Sequence, residues 1–105
     1  MRFVETPIFT SVIKRLLDDD SYRKLQIALL LRPEQGPIVK ESGGIRKVRW
    51  ALPGAGKSGG IRVIYYWARD EATIYLLYAY SKKDQGDLTR AQIRALRQLV
   101  EEEFK

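Results

Sequence analysis

Lys47 and Arg49 are separated by one residue, and Arg62 stands inside the otherwise apolar run Ile61-Arg62-Val63-Ile64-Tyr65-Tyr66. In a strand, alternate side chains share a face. Lys47 and Arg49 therefore point one way, and Val48 and Trp50 the other. If Arg46–Trp50 and Ile61–Tyr66 pair as a hairpin, three cations meet on one sheet surface, which is a place for a polyanion. A plainer reading stays open, because charges on a half-buried sheet can simply form its solvated face. Arg62 fits that reading poorly: a cation among Ile, Val and Tyr needs a partner or a wet cavity. Lys82 and Lys83 follow the strand-like run Thr73–Tyr80 and could be either part of such a cluster or a solvated strand exit.

The composition points the same way. The 105 residues are enough for one domain, residues 1–105, and 45% of them are hydrophobic, enough for a real core. The net charge is +6 and the pI about 9.7, so acidic partners are expected, either nucleic acid or an acidic protein. The charge is concentrated: Lys40 to Arg69 holds seven basic residues and one acid, Glu41. With no cysteine and no histidine, thiolate chemistry, disulfides, His-based metal sites and a histidine general base are all excluded. No metal or other cofactor is implied. The sequence has no apolar run long enough to span a membrane and no signal-peptide core, so the expected location is cytoplasmic.

The elements that must position these cations can be read in order. Phe3 and Val4 suit a short edge strand. Thr6-Pro7 is a helix start, cap followed by first-turn proline, and Phe9, Val12, Ile13, Leu16 and Leu17 recur at helical spacing. Asp18-Asp19-Asp20 suits the start of a second helix, with Tyr22, Leu25, Ala28 and Leu29 as its apolar stripe. That helix must end near Arg32, because Pro33 disfavours helix at the preceding residue. Gln35–Gly44 is a loop, the basic hairpin follows, and Arg69–Ala72 is a polar turn. Thr73–Tyr80 is apolar on both faces, as a covered central strand should be. Thr89-x-x-Gln92 is a capping box for a last helix with Ile93, Leu96, Val100 and Phe104 inward. The predicted class is α+β, in the order β-α-α-β-β-β-α: a twisted, mostly antiparallel sheet with a helical hairpin on one face and a C-terminal helix.

Pro53-Gly54-Ala55-Gly56-Lys57-Ser58-Gly59 imitates a phosphate-binding P-loop. The required first glycine is replaced by Ala51, and Gly59-Gly60 leads into a strand where a helix should begin. A basic hairpin tip is the better reading, with Lys57 as a phosphate contact.

Three segments in this order and spacing, Gly43-Gly44-Ile45-Arg46-Lys47-Val48-Arg49, Gly59–Tyr66 and Tyr75–Asp84, followed by Asp87-Leu88-Thr89, resemble the RelE/ParE toxin superfamily. Within it the chain looks like the HigB-like, RelE-type ribosome-dependent mRNA interferases. The resemblance implies a RelE-like fold and a toxin of a toxin–antitoxin system that cuts mRNA in the ribosomal A site. Its partners would be a HigA-like or RelB-like antitoxin, 16S rRNA and mRNA. Such cleavage needs no metal, since RNA supplies the 2′-OH nucleophile. The protein must align it, take one proton, stabilise the phosphate and protonate the leaving oxygen. By resemblance Lys47 and Arg49 match the basic pair on the family's second strand, Lys47 as candidate base. Arg62 matches the arginine bracing the phosphate, and Lys82 with Lys83 the cation near the leaving oxygen. Arg46, Lys57 and Tyr80 would contact RNA. Several relatives use a tyrosine near the C-terminus, where this chain has Phe104. Two alternatives remain: a ParE-like gyrase-inhibiting toxin, and a noncatalytic basic RNA-binding domain.

Overall fold

The structure is a computed structural model that describes residues 1–51 and 60–105; Lys57 and the P-loop-like segment lie outside them. Strand β1 (Arg2–Glu5) leads to helices α1 (Pro7–Leu16) and α2 (Asp19–Leu31). Strands β2 (Arg46–Ala51) and β3 (Gly60–Ala68) follow, then a 3-10 turn (Arg69–Glu71), strand β4 (Thr73–Ser81), and helix α3 (Arg90–Leu99) with a π-helical turn over Val100–Phe104.

Each helix starts where its sequence provides a cap. The Thr6 hydroxyl accepts from the Phe9 N–H at 3.0 Å and donates to the Leu77 carbonyl at 2.8 Å. The same side chain therefore begins α1 and ties it to β4. Asp18 accepts from the Ser21 N–H at 2.7 Å, and the hydrogen bonds from Ser21 hold its carboxyl below the usual carboxylate range. Thr89 and Gln92 form both halves of the capping box on α3. Helix α2 ends at Leu31, before Pro33.

The sheet runs β1-β4-β3-β2. Strand β4 lies inside, antiparallel to β3 and parallel to β1, with Arg2 opposite Thr73; β2 pairs antiparallel with β3. One face carries Val48, Ile61, Val63, Tyr65, Ile74, Leu76 and Ala79. It is closed by Phe9 and Ile13 of α1, and by Leu25 and Leu29 of α2. The other face carries Ile64, Tyr75, Leu77 and Tyr80, covered at one end by Val100 and the half-buried Leu96, Leu99 and Phe104. The register shifts between Ile64 and Tyr65: Ile64 faces Tyr78, Tyr65 faces Leu76, and Leu77 is the extra residue of a bulge. Past the bulge, Tyr78 and Tyr80 stand opposite Ile64 and Arg62. Because α3 covers only part of this second face, the rest of it is open.

Candidate active site

The open part of the second face is a groove of ≈490 Å³ whose lining includes Lys47, Arg49, Arg62, Lys82 and Asp87. Strand alternation brings two of these cations there. Val48 is buried against the helices, so Lys47 and Arg49 on either side of it face the groove. Register brings the third: Arg49 stands directly opposite Arg62 on β3. The fourth arrives with β4, whose continuation is fixed by a 3.1 Å bond from the Lys82 N–H to the Gly60 carbonyl. Gly60 itself has no alternative, since a Cβ there would lie 2.6 Å from the Trp50 carbonyl oxygen. The far wall, Gln35 and Pro37, is held to the sheet by three bonds. The Lys47 N–H donates to the Pro37 carbonyl at 3.1 Å, the Gly36 N–H to the Tyr65 hydroxyl at 3.0 Å, and that hydroxyl to the Pro33 carbonyl at 2.7 Å.

The electrostatics of the groove are unbalanced. Arg62 is 7% exposed, makes no ion pair among the described residues, and has one long bond, 3.4 Å, to the Ile61 carbonyl. Like charges directly opposite on paired strands destabilise each other, and a buried charge without a partner is costly. Arg49 and Arg62 thus combine both penalties at one place, and an anion bound between them would relieve both.

One carboxylate enters this setting. Asp87 accepts from Lys47 Nζ at 2.9 Å and from the Leu88 N–H at 2.8 Å. These two bonds, the lysine's first, hold its carboxyl below the usual range. The pair is open to water, with Asp87 69% and Lys47 30% exposed; such pairs contribute on the order of 0–1 kcal/mol. The sequence analysis named Asp87 in the segment Asp87-Leu88-Thr89 but gave it no role at the site. Two acids, Asp84 and Asp87, follow the Lys82-Lys83 pair, and nothing local marks the one that meets Lys47.

Other residues expected at the site do not line this groove. Arg46 shares the helix-side face with Val48. Its guanidinium donates to the Glu34 and Gly36 carbonyls at 3.0 and 2.9 Å and lies 6.0 Å from the Trp67 ring centre. Lys83 is exposed and is not among the groove-lining residues. Tyr80 is 4% exposed, its ring packed into the second core. Phe104 stacks on Tyr75 with centroids 4.0 Å apart and lines a separate pocket with Tyr66 and Arg69.

Residues 11–105 match the family described as the RelE toxin of the RelE/RelB toxin–antitoxin system. The chain belongs to the RelE toxin family. Solved structures of this fold include a double mutant of Escherichia coli RelE in the free state, at TM-score 0.57 and 11% identity, covering 80% of this chain and 85% of that one. The isolated E. coli RelE toxin aligns at TM-score 0.56 and 11% identity, over 92% of this chain and 96% of the other. The toxin fold also aligns with the intact E. coli RelBE toxin–antitoxin complex, at TM-score 0.56 and 11% identity, over 73% and 90% of the two chains. At this identity the likeness is one of fold, and the family membership rests on the sequence match.

Proposed function

We propose that this toxin is an endoribonuclease that cleaves mRNA in the ribosomal A site by attack of a 2′-OH on the adjacent phosphate. The observation that carries the reading is the convergence of Lys47, Arg49, Arg62 and Lys82 on one groove, with Arg62 buried and without an ion-pair partner among the described residues. A phosphate placed between Arg49 and Arg62 would satisfy that charge, and the same two guanidiniums would stabilise the further charge of the transition state. Lys82 lines the same groove and would stand by the leaving 5′-oxygen, with Lys83 adding positive field from beside it. Lys47 is the proposed base. A lysine takes a proton only after losing its own, so this role requires Lys47 to leave Asp87 and give one proton to water before it takes that of the 2′-OH. The bond to Asp87 is weak enough for that exchange. The reaction yields a 2′,3′-cyclic phosphate and a 5′-OH, with every proton handled by protein side chains or water.

The partners follow from the same reading. Phosphates of mRNA and 16S rRNA would supply most of the affinity, and the toxin would act in the cytoplasm, where ribosomes are. A RelB-like or HigA-like antitoxin would neutralise it. Ile27, Leu30 and Leu31 lie exposed together on α2 at spacings i, i+3 and i+4, an apolar surface open to a protein partner.

The test is induced expression of the wild type and Arg62→Ala, with growth curves, primer extension on a translated reporter mRNA, and purified mRNA with and without ribosomes. Ribosome-dependent cuts made by the wild type and lost in Arg62→Ala are the expected result. Growth arrest with intact mRNA would overturn the nuclease reading in favour of a protein target such as gyrase. RNA binding without cleavage, weakened only modestly by Arg62→Ala, would leave a noncatalytic binding domain.

A further inference from the structure

Two side-chain polar atoms among the described residues are buried without a hydrogen-bond partner: Trp67 Nε1 and the Tyr80 hydroxyl. Trp67 has two guanidiniums near its ring, Arg46 at 6.0 Å and Arg69 at 5.1 Å from the centre, so cation–π contact explains where that side chain is held. Tyr80 has the Asp87 carboxylate nearby but makes no hydrogen bond to it. In the register Tyr80 stands directly opposite Arg62, which stands directly opposite Arg49. The row Arg49–Arg62–Tyr80 crosses three strands on the groove face. Arg62 has only its long bond to the Ile61 carbonyl. Arg62 therefore lacks a good acceptor, and the neighbouring phenol has only a carboxylate that is already bonded to Lys47 and open to water. Folded proteins leave few buried donors unpaired, because each one costs free energy. One acceptor placed between these two would satisfy both, and in a groove of cations the fitting acceptor is a phosphate oxygen.

We infer that the Tyr80 hydroxyl is a catalytic residue: it donates a hydrogen bond to a non-bridging oxygen of the phosphate that Arg62 braces. The assignment rests on the nuclease reading above. No proton leaves Tyr80; the phenol shares with Arg62 the negative charge that builds on the phosphate. Burial, and after it the nearby Asp87 carboxylate, raise the phenol above its ordinary range, so Tyr80 keeps its proton and stays a donor. The same carboxylate is held by Lys47.

Tyr80→Phe removes one oxygen and nothing else, and it separates a catalytic hydroxyl from a structural one. Wild type, Tyr80→Phe and Arg62→Ala are compared for single-turnover cleavage of mRNA on ribosomes, for ribosome binding with an uncleavable 2′-deoxy codon, and for Tm. The expected result for Tyr80→Phe is a Tm equal to or above wild type, because an unpaired buried hydroxyl has been removed. Binding stays within about threefold, and cleavage falls by about 100-fold, as when one preorganised donor to a developing charge is lost. Wild-type cleavage by Tyr80→Phe, with Arg62→Ala inactive, would overturn this role and leave the nuclease reading standing. A fall in Tm accompanying lost cleavage would also overturn it, by making the hydroxyl structural. A wild-type protein that does not cut would remove the nuclease reading and this role together.

Discussion

The two faces of the sheet are built on opposite principles. On the helix side, Phe9, Ile13, Leu25 and Leu29 close over Val63, Tyr65 and Leu76, and the one strand arginine there, Arg46, is satisfied by two carbonyls and the Trp67 ring. On the groove side, Arg62 is more deeply buried than Arg46 yet has only one long bond. The contrast between these two arginines, one residue type on adjacent strands, separates what holds the fold from what the fold is held for. A protein that can pair Arg46 so fully leaves Arg62 with one long bond and the Tyr80 hydroxyl with none among the described residues, where an anion can reach the cations around them.

Breaking the groove side should give the largest effect on activity and the smallest on stability. Arg62→Met keeps the volume and removes the charge. Ribosome-dependent cleavage should fall 10²–10³-fold, about 3–4 kcal/mol in the barrier. Tm should hold or rise, since exchanging a buried charge for an apolar side chain is often neutral or stabilising. Paired kinetic and thermal measurements on one preparation check this; a Tm drop of several degrees would mean that Arg62 is structural. The helix side should behave in reverse. Leu29→Ala empties a fully buried position and should cost about 3 kcal/mol in urea unfolding, while the folded fraction still cuts at the wild-type rate.

Arg46→Met tests the arginine comparison directly. Loss of the hydrogen bonds to Glu34 and Gly36 leaves their carbonyls short of a donor, for an expected loss of about 1–2 kcal/mol in stability, with cleavage per folded molecule within about threefold. A collapse of cleavage without loss of stability would move Arg46 to the RNA. The smallest effect belongs to Asp87. Its carboxyl is held low by Lys47 and the Leu88 N–H, so its contribution to stability is present above the ordinary carboxylate pKa of about 4 and is lost as pH falls through the lower folded value. Against Asp87→Asn, the wild type should gain less than about 1 kcal/mol at pH 7, and the difference should vanish near pH 2. A gap that persists in acid would assign the effect to packing.

How much of this the sequence carried depends on the range of each interaction. The Thr6-Pro7 start, the stop before Pro33 and the Thr89–Gln92 box are local, and each appears where its residues predicted. Alternation around Val48 was also local, and it placed Lys47 and Arg49 on one face. The groove's less legible half is non-local. Lys47 meets Asp87 across 40 positions, and no spacing announces that. The bulge at Leu77 decides which way Tyr78 and Tyr80 point, and bulges leave little trace in a run as uniformly apolar as Thr73–Tyr80. Arg46 was grouped with its basic neighbours; strand parity alone would have separated it from Lys47, as it separated Val48 from Arg49.

The pairing of β1 with β4 has a consequence for how the groove comes into being. Arg2 and Thr73 are opposite one another, 71 positions apart in the chain, and the inner strand β4 is the last to join the sheet. Synthesis proceeds from the N-terminus, so a growing chain has Lys47, Arg49 and Arg62 in hand well before it has Tyr80, Lys82 or Asp87. Until β4 emerges, β1 has no neighbour, β3 has one open edge, and the Thr6 hydroxyl has no Leu77 carbonyl to anchor α1. A nascent chain interrupted before Thr73 carries most of the groove's charge and none of its shape. Assembly order thus acts as a built-in delay: the chain carries its cations before it has the strand that gathers them into one surface.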